Sequence, residues 1–361
     1  MHEPWSEDIL GASFRSLTLP LEPDDEGRRV ATLVAYEPDG APAGQSMRTD
    51  PATEAERVRA VLYLHGFSDY FLHAELAQAL HERGWAFFAL DLHKYGRSLL
   101  PGQTPGFVTS LQDYDADLEA ALAALERRLR ERAGAPVVLD LVLMAHSMGG
   151  LTAALWAARN PGRVSALVLN SPWLDMQGSA LLRPAAQGIL ATVSRRRPKA
   201  RIPLPELGFY FRNISDTRDG EWPIDPAWRP EAGFPIRVGW LRAVLAGHAD
   251  LAHGVSIDVP ILVVCSASST ISATWDEAMR HTDSILDVTP MVHRAAELGN
   301  SITIRRLPGA LHDVFLSRVE VRREATDAVL RWLEVQVPGE VLQRSPRVRD
   351  AGESSGLATG G

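Results

Sequence analysis

The stretch Leu141-Val142-Leu143-Met144-Ala145-His146-Ser147-Met148-Gly149-Gly150 decides how this chain folds. Its first five residues are continuously apolar, as in a strand covered on both faces. They run directly into His-Ser-Met-Gly-Gly, and an Ala/Leu-rich helix is expected over 147–159. A serine between small residues at a strand-to-helix turn follows the spacing Gly-x-Ser-x-Gly. Gly149 matches that spacing and Ala145 stands at the first glycine. Ser-x-Gly alone is more often a plain helix N-cap. The strand before it and the helix after it make Ser147 a candidate nucleophile, with His146 and Gly149 shaping the turn.

The same pattern repeats outward from this point. Short apolar runs end at Leu64, Leu90, Leu169, Val264 and Ile304. Helical spacing is found over 71–83, 113–132 and 315–335. Strand and helix alternate from 60 to 170 and again from 260 to 335. This predicts an α/β protein with a doubly wound, mostly parallel sheet. Residues 14–22 and 29–36 alternate in polarity and predict an antiparallel pair, while 38–53 read as a loop. The stretch 172–252 breaks the rhythm with prolines and, from Phe209 to Trp240, seven aromatics, and is expected to be an inserted helical lid. The expected organisation is therefore an N-terminal segment 1–13, a core over 14–171, the insertion 172–252, a second core part over 253–337 and a disordered tail 338–361.

A serine hydroxyl needs a base to take its proton. On a sheet of this kind the partners follow in the order serine, acid, histidine. His312 lies between the last apolar strand and the last helix, on the serine's side of the sheet. Asp313 beside it reads as a helix cap or loop residue. The acid is sought after the strand that ends near Cys265, where Asp276, Asp283 and Asp287 are candidates. Asp283 has the pattern expected at the sheet edge, and Asp287 is placed to cap the following helix. An oxyanion hole needs two backbone N–H donors. Met148 supplies one at the helix start. Phe67 supplies the other, in a turn shaped by His65 and Gly66.

These motifs together resemble the α/β-hydrolase superfamily. They are His65-Gly66-Phe67, Asp91-Leu92-His93-Lys94-Tyr95-Gly96-Arg97-Ser98, His146-Ser147-Met148-Gly149-Gly150, Asn170-Ser171-Pro172 and Gly309-Ala310-Leu311-His312. The nearest branch is the monoacylglycerol lipase and lysophospholipase-like group of serine aminopeptidase-type hydrolases. The resemblance covers roughly 55–175 and 255–335. It implies a serine hydrolase acting on a carboxylic ester of a lipid or other hydrophobic acyl group, with Ser147, His312 and Asp283 as the triad. A peptidase, an amidase, an acyltransferase and a non-catalytic binding protein remain open on the same fold. Two departures bear on substrate. The stretch from Cys265 to Asp283 is longer than is usual before the acid, and 172–252 matches no motif of the group.

Composition narrows the classes further. The 361 residues carry 37 basic and 45 acidic side chains, a net charge of −8. That balance argues against sequence-independent nucleic-acid binding. A single cysteine, Cys265, excludes a disulfide framework and a cysteine zinc cluster, and at a strand end it reads as a small hydrophobe. No transmembrane run or secretory leader is read, so a cytoplasmic location is expected. No metal or nucleotide cofactor motif is present, and His248 and His253 lack a carboxylate companion. The basic run 195–201 reads as a solvated loop, with attraction of an anionic substrate or peripheral membrane contact as the alternatives. Oligomeric state is left open.

Overall fold

The computed structural model describes residues 4–38, 47–49, 55–175, 193–203, 205 and 207–338. Among the described residues ten strands form one sheet. They are β1 (Ser6–Asp8), β2 (Gly11–Asp24), β3 (Gly27–Tyr36), β4 (Met47–Thr49), β5 (Glu56–Leu64), β6 (Ala86–Asp91), β7 (Val137–His146), β8 (Ala166–Asn170), β9 (Ile261–Ser266) and β10 (Ile302–Leu307). The order is β1-β2-β3-β6-β5-β7-β8-β9-β10, with β4 attached to β5. Pairings from β6 through β5 to β10 are parallel, and those of β1, β2, β3 and β4 are antiparallel.

Among the described residues, 193–196 are helical, and the longer helices are α1 (Ala74–Glu82), α2 (Asp115–Ala133), α3 (Met148–Arg159), α4 (Phe209–Ile214), α5 (Val238–Ala252), α6 (Val288–Ala295) and α7 (Val319–Gln336). The continuous apolar strands follow from helices on both faces. Alternate residues of β5 point opposite ways. Leu62 and Leu64 join a core with Leu118 and Leu122 of α2 and Leu151 of α3. Val61 and Tyr63 join a second core with Leu80 of α1 and Val329 and Leu333 of α7.

Several expectations change. Within 38–53, read as a loop, Met47–Thr49 pairs with Glu56–Val58. β6 meets β5 only from Ala60 onward, so this end of β5 has an edge to offer. Of the segment set apart as 1–13, residues 6–8 and 11–13 belong to the sheet through β1 and β2, and the buried Asp8 accepts from Arg97 Nε and Nη2 at 2.7 and 2.8 Å. The last helix starts later than expected because Asp313 caps a separate short turn, Val314–Leu316. Between β8 and β9 the described part of the insertion carries α4 and α5, but its stretch from 215 to 237 is turns and irregular chain, so it is only partly helical. Its aromatics pack outward onto the core rather than onto one another alone. Trp222, Phe211 and Ile224 join Tyr70, Leu72, Leu311 and Leu316. Arg195, Arg196 and Arg197 are exposed, while Lys199 pairs with Asp25 and Glu26. The tail from residue 339 lies outside the described residues.

Candidate active site

Ser147 sits between β7 and α3 with φ 53° and ψ −118°, a strained conformation for a non-glycine residue. Tight packing holds it there. A Cβ at Gly149 would lie 2.2 Å from the His65 carbonyl oxygen, so only glycine lets α3 approach the end of β5. Trp173 N–H donates to the Ser147 carbonyl at 2.9 Å, and Ser147 N–H donates to the Asn170 carbonyl at 3.0 Å.

The side chain of Ser147 begins a continuous chain of hydrogen bonds. His312 Nε2 is 2.9 Å from Ser147 Oγ, and His312 Nδ1 is 2.8 Å from Asp283 Oδ2. An ionised carboxylate only accepts, so Nδ1 carries the proton and Nε2 offers its lone pair to the hydroxyl. All three residues are buried. Asp283 Oδ1 accepts the N–H groups of Ile285 and Leu286, both at 2.8 Å, which orients the carboxylate. The other two acid candidates lie elsewhere. Asp287 accepts Thr289 N–H at 2.9 Å and caps α6. Asp276 accepts Ala278 N–H at 2.8 Å and caps the turn Glu277–Arg280.

Phe67 follows β5, and Met148 opens α3, whose first N–H groups have no intrahelical acceptor. The two segments touch, since a Cβ at Gly66 would be 3.1 Å from Ser147 Cβ. His65 Nε2 accepts Leu92 N–H at 3.0 Å, so its Nδ1–H donates to the Gly66 carbonyl at 2.7 Å. His65 thus braces the turn with both ring nitrogens.

Behind His312 lies a second buried polar cluster that the sequence reading did not assemble. Asp313 accepts from His73 Nε2 at 2.8 Å, from Asn170 Nδ2 at 2.7 Å and from Phe315 N–H at 3.0 Å. Burial alone would raise its pKa, but His146, His73 and Asn170 outweigh it and hold the carboxyl far below its ordinary range. The His146 ring lies 4.8 Å from the His312 ring, and its Nδ1–H donates to the Asn170 carbonyl at 3.2 Å. Burial pushes its pKa down to about 4, so it is neutral at pH 7. Asp69, a second buried acid beside His146, accepts from Arg229 Nη1 of the insertion at 2.6 Å. Asp69, His146 and Asp313 bring possible metal-ligand atoms within 4.8 Å of one another. Arg229 already faces Asp69, and His73 and Asn170 already face Asp313. The one available signal was the place of Asp313 beside His312. Nothing in the sequence pattern linked Asp69 to Arg229, 160 residues away.

The remaining polar candidates have local roles. His248 Nε2 bonds the Trp173 carbonyl at 2.8 Å, and His253 Nδ1 bonds the Ala249 carbonyl at 2.7 Å. Cys265 is buried in β9, and burial pushes its thiol up to about 12, which keeps it protonated and unreactive. In the Asp91–Ser98 loop, Asp91 accepts Phe71 N–H at 2.9 Å and Arg97 N–H at 3.0 Å, a structural use of the motif.

Residues 55–317 match the family model Hydrolase_4, described as serine aminopeptidase, S33. The chain belongs to this family. It is an α/β hydrolase, an enzyme of the serine hydrolase class. Among solved structures it is similar to a monoacylglycerol lipase from Paleococcus ferrophilus, with 20% identity, a TM-score of 0.53, and 77% of this chain and 94% of that one covered. A soluble variant of monoglyceride lipase from Saccharomyces cerevisiae has 16% identity and a TM-score of 0.54, with 88% and 96% covered. A carboxyl esterase from Bacillus coagulans has 14% identity and a TM-score of 0.54, with 91% and 100% covered. At these identities the likeness is one of fold. No curated protein matches the sequence significantly. Among the described residues of this hydrolase no helix is long and apolar enough to cross a membrane.

Proposed function

We propose that this hydrolase cleaves a carboxylic ester of a lipid or other hydrophobic acyl group through an acyl-enzyme. The observation that carries the reading is the unbroken hydrogen-bonded chain Ser147–His312–Asp283. Ser147 Oγ attacks the ester carbonyl while His312 Nε2 takes its proton. The carbonyl oxygen becomes an oxyanion, and the N–H groups of Phe67 and Met148 receive it. His312 returns the proton to the departing alcohol as the C–O bond breaks, leaving the acyl group on Ser147. Water then repeats the sequence, with His312 again as base, and releases the acid. Asp283 holds the imidazole in its working tautomer and faces the transient imidazolium. The two donors are worth a few kcal/mol each, roughly the known scale for such groups.

The acyl preference is supported by the aromatic surroundings of the turn. Phe67 stacks on Trp240 with centroids 3.9 Å apart and meets Phe234 edge-on at 6.0 Å. The lipase and esterase names of similar structures agree with it. The family description supports a second reading, cleavage of an N-terminal amino acid. A fluorophosphonate probe and two substrates test both. Wild type is expected to label and to hydrolyse p-nitrophenyl acyl esters faster than aminoacyl p-nitroanilides. Ser147→Ala is expected to lose labelling and at least about 10⁴-fold in kcat. Preference for the anilide transfers the assignment to a peptidase, and a folded wild type that neither labels nor turns over either substrate overturns it altogether.

A further inference from the structure

The loop that carries the Phe67 N–H is strained at its next residue. Ser68 has φ 53°, a left-handed conformation that an L side chain holds only when its surroundings impose it. The surroundings come from the insertion between β8 and β9. Phe234 N–H donates to Ser68 Oγ at 2.9 Å, and Asp225 N–H donates to Tyr70 Oη at 2.9 Å. Between them Arg229 Nη1 donates to Asp69 Oδ1 at 2.6 Å.

That ion pair is buried on both sides, with Arg229 6% and Asp69 1% exposed. The second Asp69 oxygen, Oδ2, is buried without a hydrogen-bond partner among the described residues. Taking away the guanidinium therefore leaves an uncompensated buried carboxylate one residue from Ser68, and the loop must move to hydrate it. Arg229 also lies over the Tyr210 ring at 5.4 Å. Tyr210 in turn accepts Asp313 N–H at 3.0 Å, and its ring stands 5.7 Å from that of His312. One cation on the insertion thus bears on both loops that flank Ser147.

We propose that Arg229 is a positioning residue for the oxyanion hole: by pairing with Asp69 it holds Ser68 in its strained conformation and so aims the Phe67 N–H. The inference rests on the acyl-transfer reading of Ser147 given above. On this account the insertion assembles part of the site instead of merely covering it. Arg229 then acts on the transition state, where the oxyanion exists, and little on ester binding.

Full-length Arg229→Met, Arg229→Lys and Ser68→Ala are compared with wild type. Steady-state kinetics on a p-nitrophenyl ester are measured alongside affinity for a trifluoromethyl ketone, whose adduct with Ser147 places an oxyanion in the hole. Arg229→Met is expected to lower kcat about 10- to 100-fold with KM changed by less than about threefold. Ketone affinity should fall in step, and Arg229→Lys should recover part of both. Where Arg229→Met does not fold, Ser68→Ala carries the test through a parallel loss of kcat and ketone affinity. A folded Arg229→Met with wild-type kcat overturns the proposal. So does a loss confined to KM, or unchanged ketone affinity beside a reduced kcat. Wild type that labels with fluorophosphonate while the variants behave normally sinks this proposal alone. Wild type that neither labels nor turns over sinks the acyl-transfer reading with it.

Discussion

Three aspartates between β9 and β10 compete for one role, and hydrogen-bond geometry separates them. Asp283 faces His312 at 2.8 Å, whereas Asp287 and Asp276 spend their side chains on local N–H groups. Asp283→Asn keeps the shape but favours the wrong imidazole tautomer, so kcat is expected to fall about 10³- to 10⁴-fold. Asp287→Ala should leave kcat within about twofold and cost roughly 1 kcal/mol of stability through the lost cap. Ester kinetics and urea unfolding on the two variants check both statements. Asp313 shows why proximity in sequence misleads. It follows His312 directly, yet its oxygens turn away to His73 and Asn170.

At the scale of elements, the site exists because β5 and β7 deliver two loops to one point. These strands pair in parallel register from Glu56↔Val137 to Leu64↔Ala145, which brings His65–Phe67 beside His146–Met148. α3 must then approach the His65 carbonyl without a side chain in between, and Gly149 provides that gap. Gly149→Ala is expected to cost roughly 3 kcal/mol or more, because the obstructing atom is backbone and cannot swing aside. Gly134→Ala is the control. Gly134 has φ +64° but open space around its missing Cβ, so only the backbone conformation is penalised, by about 1 kcal/mol. Thermal unfolding of the two variants should separate crowding from backbone strain.

At the scale of the whole molecule, the buried polar cluster between the sheet and the insertion sets an acid limit. His146 titrates at about 4 in the folded chain against 6.5 when unfolded, chiefly because burial penalises its charged form. Below pH 6.5 the unfolded state takes up a proton that the folded state refuses, so stability falls as the pH falls from about 6.5 toward 4. Asp313 and Asp69 are held below their ordinary values. Burial opposes this, and the histidine, asparagine and arginine partners around them outweigh it. Their contribution is present above the ordinary carboxylate range and is lost on further acidification. The His146 share at pH 5 is about 2 kcal/mol. Urea unfolding at pH 7.5, 6 and 5 is expected to show a flat upper region and then a decline, and His146→Gln should flatten the part between 6.5 and 4.

Much of this was legible because it is local. Buried parallel strands need unbroken apolar runs, and those runs marked the sheet. A serine on a strand-to-helix turn needs small neighbours, and those marked Ser147. His312 and Asp283 could be sought because chain order on such a sheet restricts where partners fall. Tertiary structure alone decided what depends on pairs distant in sequence. It placed the aromatics of the insertion on the core loops, and it joined Arg229 to Asp69 and Asp313 to His73 and Asn170. It also turned one aspartate of three toward His312. The physical reason is that a buried charge draws its meaning from the partner that compensates it. No spacing in the chain names a partner brought near only by folding.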